Sequence, residues 1–102
     1  MNGLDRSTTE DSLAAAVRRA EDMLDRLRMA SIRYPRTGTD DTVQPALDNA
    51  RGLLNRALAR IEELRLTPDD AFAAMHPRAV AAVDQLKAAV ADLEALLVHE
   101  TA

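Results

Sequence analysis

The stretch Val43–Leu64 reads V-Q-P-A-L-D-N-A-R-G-L-L-N-R-A-L-A-R-I-E-E-L. Its apolar residues fall at alternating steps of four and three: Val43, Leu47, Ala50, Leu54, Ala57, Ile61 and Leu64. An α-helix turns once per 3.6 residues, so such steps return to a single face. A strand, with period two, would scatter the same residues over both faces. In heptads, Leu47, Leu54 and Ile61 take the first core position, a, and Val43, Ala50, Ala57 and Leu64 take the second, d. The position before a, called g, is apolar at Ala46 and Leu53 and carries Arg60 one heptad later.

The same rhythm lies on both sides of this stretch. Upstream it runs Leu13, Val17, Ala20, Leu24, Leu27, Ser31, and downstream Ala79, Val83, Leu86, Val90, Leu93, Leu97. Three such segments of similar length, each about 35 Å as a helix, predict an all-α fold: an antiparallel bundle of three long helices with heptad packing. The chain of 102 residues is expected to form one domain, 1–102.

Local signals place the ends. Ser7-Thr8-Thr9-Glu10 reads as a capping box, so the first helix is expected to start near Thr8 or Thr9. Tyr34-Pro35 should stop it, because a residue before proline is pushed out of helical geometry. Residues 37–41 read as a polar loop, and the second helix should open at Asp41 or Thr42 and run to about Leu66. Thr67-Pro68-Asp69-Asp70 is in helix-start order: a capping hydroxyl, a proline at the first position, then carboxylates on the positive helix end. From there a short connecting helix is expected to end before Pro77, anchored by Phe72 and Met75 as a lid on one end of the bundle. Pro77 would then begin the last long helix, to about His99.

Composition narrows the chemistry. No cysteine is present, so disulfides and cysteine-ligated zinc are excluded, and a cytoplasmic location is expected. No apolar run approaches the ~18 residues of a membrane span, and the first residues lack the basic-then-apolar order of a signal peptide. Arginine and alanine are abundant while Lys87 is the sole lysine, a bias of bacterial or phage coding sequences rich in G and C. Net charge is −4, and residues 67–102 carry all of it, with Arg78 and Lys87 against six acids. That balance works against nucleic-acid binding, as does the alternation of Arg18, Arg19, Arg26 and Arg28 with Glu21, Asp22 and Asp25.

Sites of chemistry are sparse. His76 and His99 are the only histidines, and neither lies in the Glu-x-x-His arrangement that a bundle metal site uses. Ser31 is the only polar residue at an a or d position, so no cluster of titratable groups is expected inside, and neither catalysis nor a cofactor is expected. Arg60, at a flanking core position, and Arg33 with Arg36, beside Tyr34, are candidates for an anion contact. The simpler use of Arg60 is to cover apolar surface and meet nearby carboxylates such as Glu63, while Asp40 and Asp41 follow directly on Arg33 and Arg36. The last helix differs on its outer face, where Ala81, Ala88, Ala91, Ala95 and Val98 stand in place of Arg18, Asp22 and Asp25 on the first helix and the mixed Pro45, Asp48, Gly52, Asn55 and Ala59 on the second. A helix apolar on two sides usually packs on two sides. These five residues are the expected protein interface, with a homodimer as its simplest form. The expected role is therefore a non-enzymatic protein–protein interaction module, with a small-molecule or anion sensor as the alternative.

Overall fold

The computed structural model describes the backbone of residues 3–33 and 43–101, and the side chains of residues 6–32 and 43–97. The expected stop at Tyr34-Pro35, the loop at 37–41 and the helix start at Asp41 or Thr42 lie outside the described residues. Three helices pack against one another: α1 (Gly3–Arg33), α2 (Val43–Leu66) and α3 (Asp69–Thr101). Each helix contacts both others, and the α2–α3 pair is the most extensive. The molecule is a rod of 54 × 18 × 16 Å. At 1.5 Å per residue α3 alone is about 50 Å long, nearly the length of the whole.

The core is aliphatic and continuous. Val17, Leu24, Leu54, Leu64, Leu86 and Leu93 are its largest fully buried side chains. Ala50, Ala57 and Ala79 are fully covered too, and small residues at these points let the helix backbones come close. Every buried side chain among those described is apolar. Ser31, the one polar residue at an expected core position, is only half-buried. Its hydroxyl donates to the Arg28 carbonyl at 2.9 Å, so its polar group is satisfied within its own helix.

Two expectations about helix ends need correction. First, α1 does not begin at the Ser7-Thr8-Thr9-Glu10 box but at Gly3, and Thr8 lies inside it. A capping box stabilises a helix end by satisfying its own N–H groups. Here the extra turn is rewarded by long-range contacts of Arg6, described below. Second, α3 is a single helix with Pro77 inside it, so the short connecting helix expected before Pro77 is not a separate element. Pro77 cannot donate to the carbonyl of Ala73, but Ala73, Ala74 and Pro77 are all exposed, and water can take the freed carbonyl. Packing on both sides of the proline outweighs its cost. Phe72 and Met75 lie against the core before it, and Ala79 is buried just after it.

The break between α2 and α3 falls where the sequence places it. Thr67 performs a different task there from the one expected. Its hydroxyl donates backwards to the Glu63 carbonyl at 2.6 Å, and its N–H donates to the Leu64 carbonyl at 3.2 Å, so it closes α2. The Pro68 carbonyl accepts from the Ala71 N–H at 3.0 Å, and Asp69 and Asp70 fill the first turn of α3. Carboxylates there face the positive end of the helix dipole.

Candidate protein-interaction surface

The outer face of α3 is built by subtraction. Leu86, Val90, Leu93 and Leu97 go inwards and are buried. That leaves Ala81, Ala88, Ala91 and Ala95 exposed along the opposite side. The side chains of Val98 and His99 lie outside the described residues. Ala91 also lines a shallow groove between α1 and α3, together with Ala16, Met23, Lys87, Val90 and Glu94. The exposed charges of this face are Arg78, Asp84, Lys87, Asp92 and Glu94, three acids to two bases. The surface can therefore offer a neighbouring helix close backbone approach and a negatively charged border.

The expected anion contacts fare differently. The Arg60 guanidinium donates to the Glu63 carboxylate at 3.1 Å, and its side chain is 31% exposed. Arg33 is the last residue of α1, and its side chain and all of Arg36 lie outside the described residues. His76 is half-buried and stacks on Phe72, with ring centroids 5.8 Å apart and planes 13° from parallel. Among the described residues no group of three or more histidine, aspartate or glutamate side chains is placed to hold a metal ion. No described helix is long and apolar enough to cross a membrane.

The most connected polar residue is Arg6. Its guanidinium donates to Glu10 at 3.0 Å, one turn along α1, and to Asp69 at 2.6 Å at the start of α3. It also donates to the carbonyls of Leu64, Arg65 and Thr67. The last carbonyls of a helix have no partner inside it, and one guanidinium with five N–H donors takes two from the end of α2 and that of Thr67 just beyond. Arg6 also lies over the Phe72 ring, 4.6 Å from its centroid. Hydrogen bonding from Glu10, opposed by desolvation and joined by Asp69, holds its pKa above the ordinary arginine range. The group's donors are committed within the chain, so it fastens the ends of three helices. A signal for it exists in the sequence: the d position one heptad before Leu13 is residue 6. An arginine in core register at a bundle end is placed to reach helix termini. For Arg6→Gln we expect several-fold faster amide exchange in the last turn of α2 and the first turn of α3, and a melting temperature lower by several degrees. Unchanged protection at Leu64–Ala71 would show that Arg6 does not fasten this end.

Comparison of the chain with protein-family models, with curated proteins and with solved structures gives no match.

Proposed function

We propose that this chain is a non-enzymatic protein–protein interaction module, a small helical adaptor, regulator or inhibitor, built as an antiparallel, heptad-packed bundle. The observation that carries the proposal is the line of Ala81, Ala88, Ala91 and Ala95, exposed on a helix whose opposite side already fills the core. A solvated helix face normally carries long polar side chains, as α1 does at Arg18, Asp22 and Asp25, whereas α2 is mixed, with Pro45, Gly52 and Ala59 beside Asp48 and Asn55. Alanine there has little to gain from water and leaves room for a partner helix at short distance. The alternative, an anion sensor, rests on Arg60, which Glu63 already holds, and on Arg33 and Arg36. An anion at Arg60 would have to displace a carboxylate, whereas the alanine line has nothing on it to displace.

The charges bordering the line bear on the partner. A two-fold homodimer through it is the simplest occupant by symmetry. It would set Asp84, Asp92 and Glu94 of one copy near the same acids of the other, with Arg78 and Lys87 offsetting part of that charge. A protein helix with a basic border fits better. The double variant Ala88→Glu, Ala95→Glu should keep its helical circular dichroism and lose its partner. The two chains, used as paired baits from the native cell, should differ by at least one protein that wild type retains and the variant does not. Identical retained proteins on both would remove this surface from the proposal.

A further inference from the structure

The helix α2 carries a second stripe beside its core face. Asp48, Arg51, Asn55, Leu58, Glu62 and Arg65 follow one another at alternating steps of three and four. All are exposed except Arg51, whose side chain is still 42% exposed. Leu58, near the middle, is a large apolar side chain left 46% exposed. In this chain Arg51 meets Asp25 only at 3.8 Å, and Asp48 accepts one hydrogen bond, from Gln44 at 3.0 Å. The stripe is the α2 wall of the seam with α1: Asp48 and Arg51 line a groove with Arg28 and Ile32, and Leu58, Glu62 and Arg65 line another with Arg18 and Glu21, so an occupant also meets α1.

The order of charges is complementary to its own reversal. Asp48 and Arg65 lie equally far from the midpoint between Asn55 and Leu58, on opposite sides. Arg51 and Glu62 do likewise. An antiparallel copy of α2 laid on this stripe would bring Asp48 to Arg65 and Arg51 to Glu62, each twice. Leu58 and Asn55 would meet at the centre. Sliding the copy by half a heptad sets Asp48 against Glu62, or Arg51 against Arg65. Sliding it by a whole heptad pairs none of these charges. One alignment therefore pairs all four charged residues of the stripe, with Leu58 against Asn55 between them.

We propose that a second copy of this chain packs on this stripe, α2 against α2, about a two-fold axis between Asn55 and Leu58. The proposal goes beyond the α3 surface and does not depend on it. The dimer leaves the alanine line of α3 free for a different partner.

Sedimentation of the full chain at high micromolar concentration and low salt should show a dimer. Arg51→Glu and Glu62→Arg should each raise the dimer dissociation constant about tenfold or more, since two symmetric pairs change from attraction to repulsion. The chain with both substitutions should regain wild-type affinity, and an equimolar mixture of the two single variants should form a mixed dimer. Residues 51 and 62 are about 16 Å apart along one helix, so no contact within a single chain produces such rescue. Circular dichroism of each variant should match wild type. A monomeric wild type would overturn the proposal, as would failure of the two rescues. A dimer that survives Arg51→Glu but is lost in Ala88→Glu, Ala95→Glu would place the second copy on α3 and overturn it equally.

Discussion

Leu54→Ala is expected to destabilise the protein by about 3–5 kcal/mol, in the upper part of the range for a buried leucine. Leu54 is 1% exposed at the middle of α2, the helix with the most extensive contacts to α3. The cost has two parts: the transfer of the side chain out of water is lost, and a cavity remains. How much cavity remains depends on the neighbours. Along the same face of α2 these are Ala50 and Ala57, both fully buried and both too short to swing into the space. Phe72, the one described aromatic side chain, is engaged near the other end of the rod with Arg6 and His76. The cavity should therefore stay open. A small domain has only about 5–15 kcal/mol in total, so the variant should show a greatly lowered melting temperature and denaturant midpoint. A change below about 1 kcal/mol in chemical denaturation would mean that the core can close around residue 54.

Pro77→Ala should act in the opposite direction, raising stability by about 1–3 kcal/mol. Proline inside a helix removes a backbone hydrogen bond and crowds the carbonyl four residues earlier, which costs roughly 3 kcal/mol. Greater freedom of the unfolded chain in the variant takes back part of the gain. The sign is the informative quantity. In a continuous α3, alanine restores the bond from residue 77 to Ala73 and the helix gains. Were residue 77 the first residue of a separate helix, proline would be favoured there and its loss would be neutral or harmful. Calorimetry of the variant giving an equal or lower melting temperature would contradict the continuous helix.

The parts of this structure that were legible in the sequence are those fixed by repetition. Leu13, Val17, Leu24, Leu54, Leu86 and Leu93 are buried because a face shared by many residues cannot be moved by any single one. Ala81, Ala88, Ala91 and Ala95 are exposed for the same reason. The errors occur where one local signal competes with a distant contact. Ser7-Thr8-Thr9-Glu10 has the chemistry of a helix start, yet Arg6, one residue earlier, finds its partners some sixty positions away, at Leu64, Arg65, Thr67 and Asp69. Pro77 reads as a boundary because proline usually is one. Its neighbours Met75 and Ala79 pack on the core from either side, and that packing is not local information. Of the candidate site, the alanine line was legible from periodicity. The reversal of charge order on α2 gained meaning only once Leu58 and its neighbours were seen exposed.

The rod shape has a hydrodynamic consequence. The radius of gyration is 16.2 Å, against about 13 Å for a rounded domain of this length. A single chain should therefore diffuse like a heavier sphere, and it should leave a gel-filtration column early enough to imitate a dimer. Side-by-side pairing along α2 thickens the rod without lengthening it, so its friction relative to that of a sphere of equal mass falls. End-to-end association would do the reverse. In small-angle scattering, the α2 dimer should keep a maximum dimension close to that of one chain while its forward intensity per unit mass doubles.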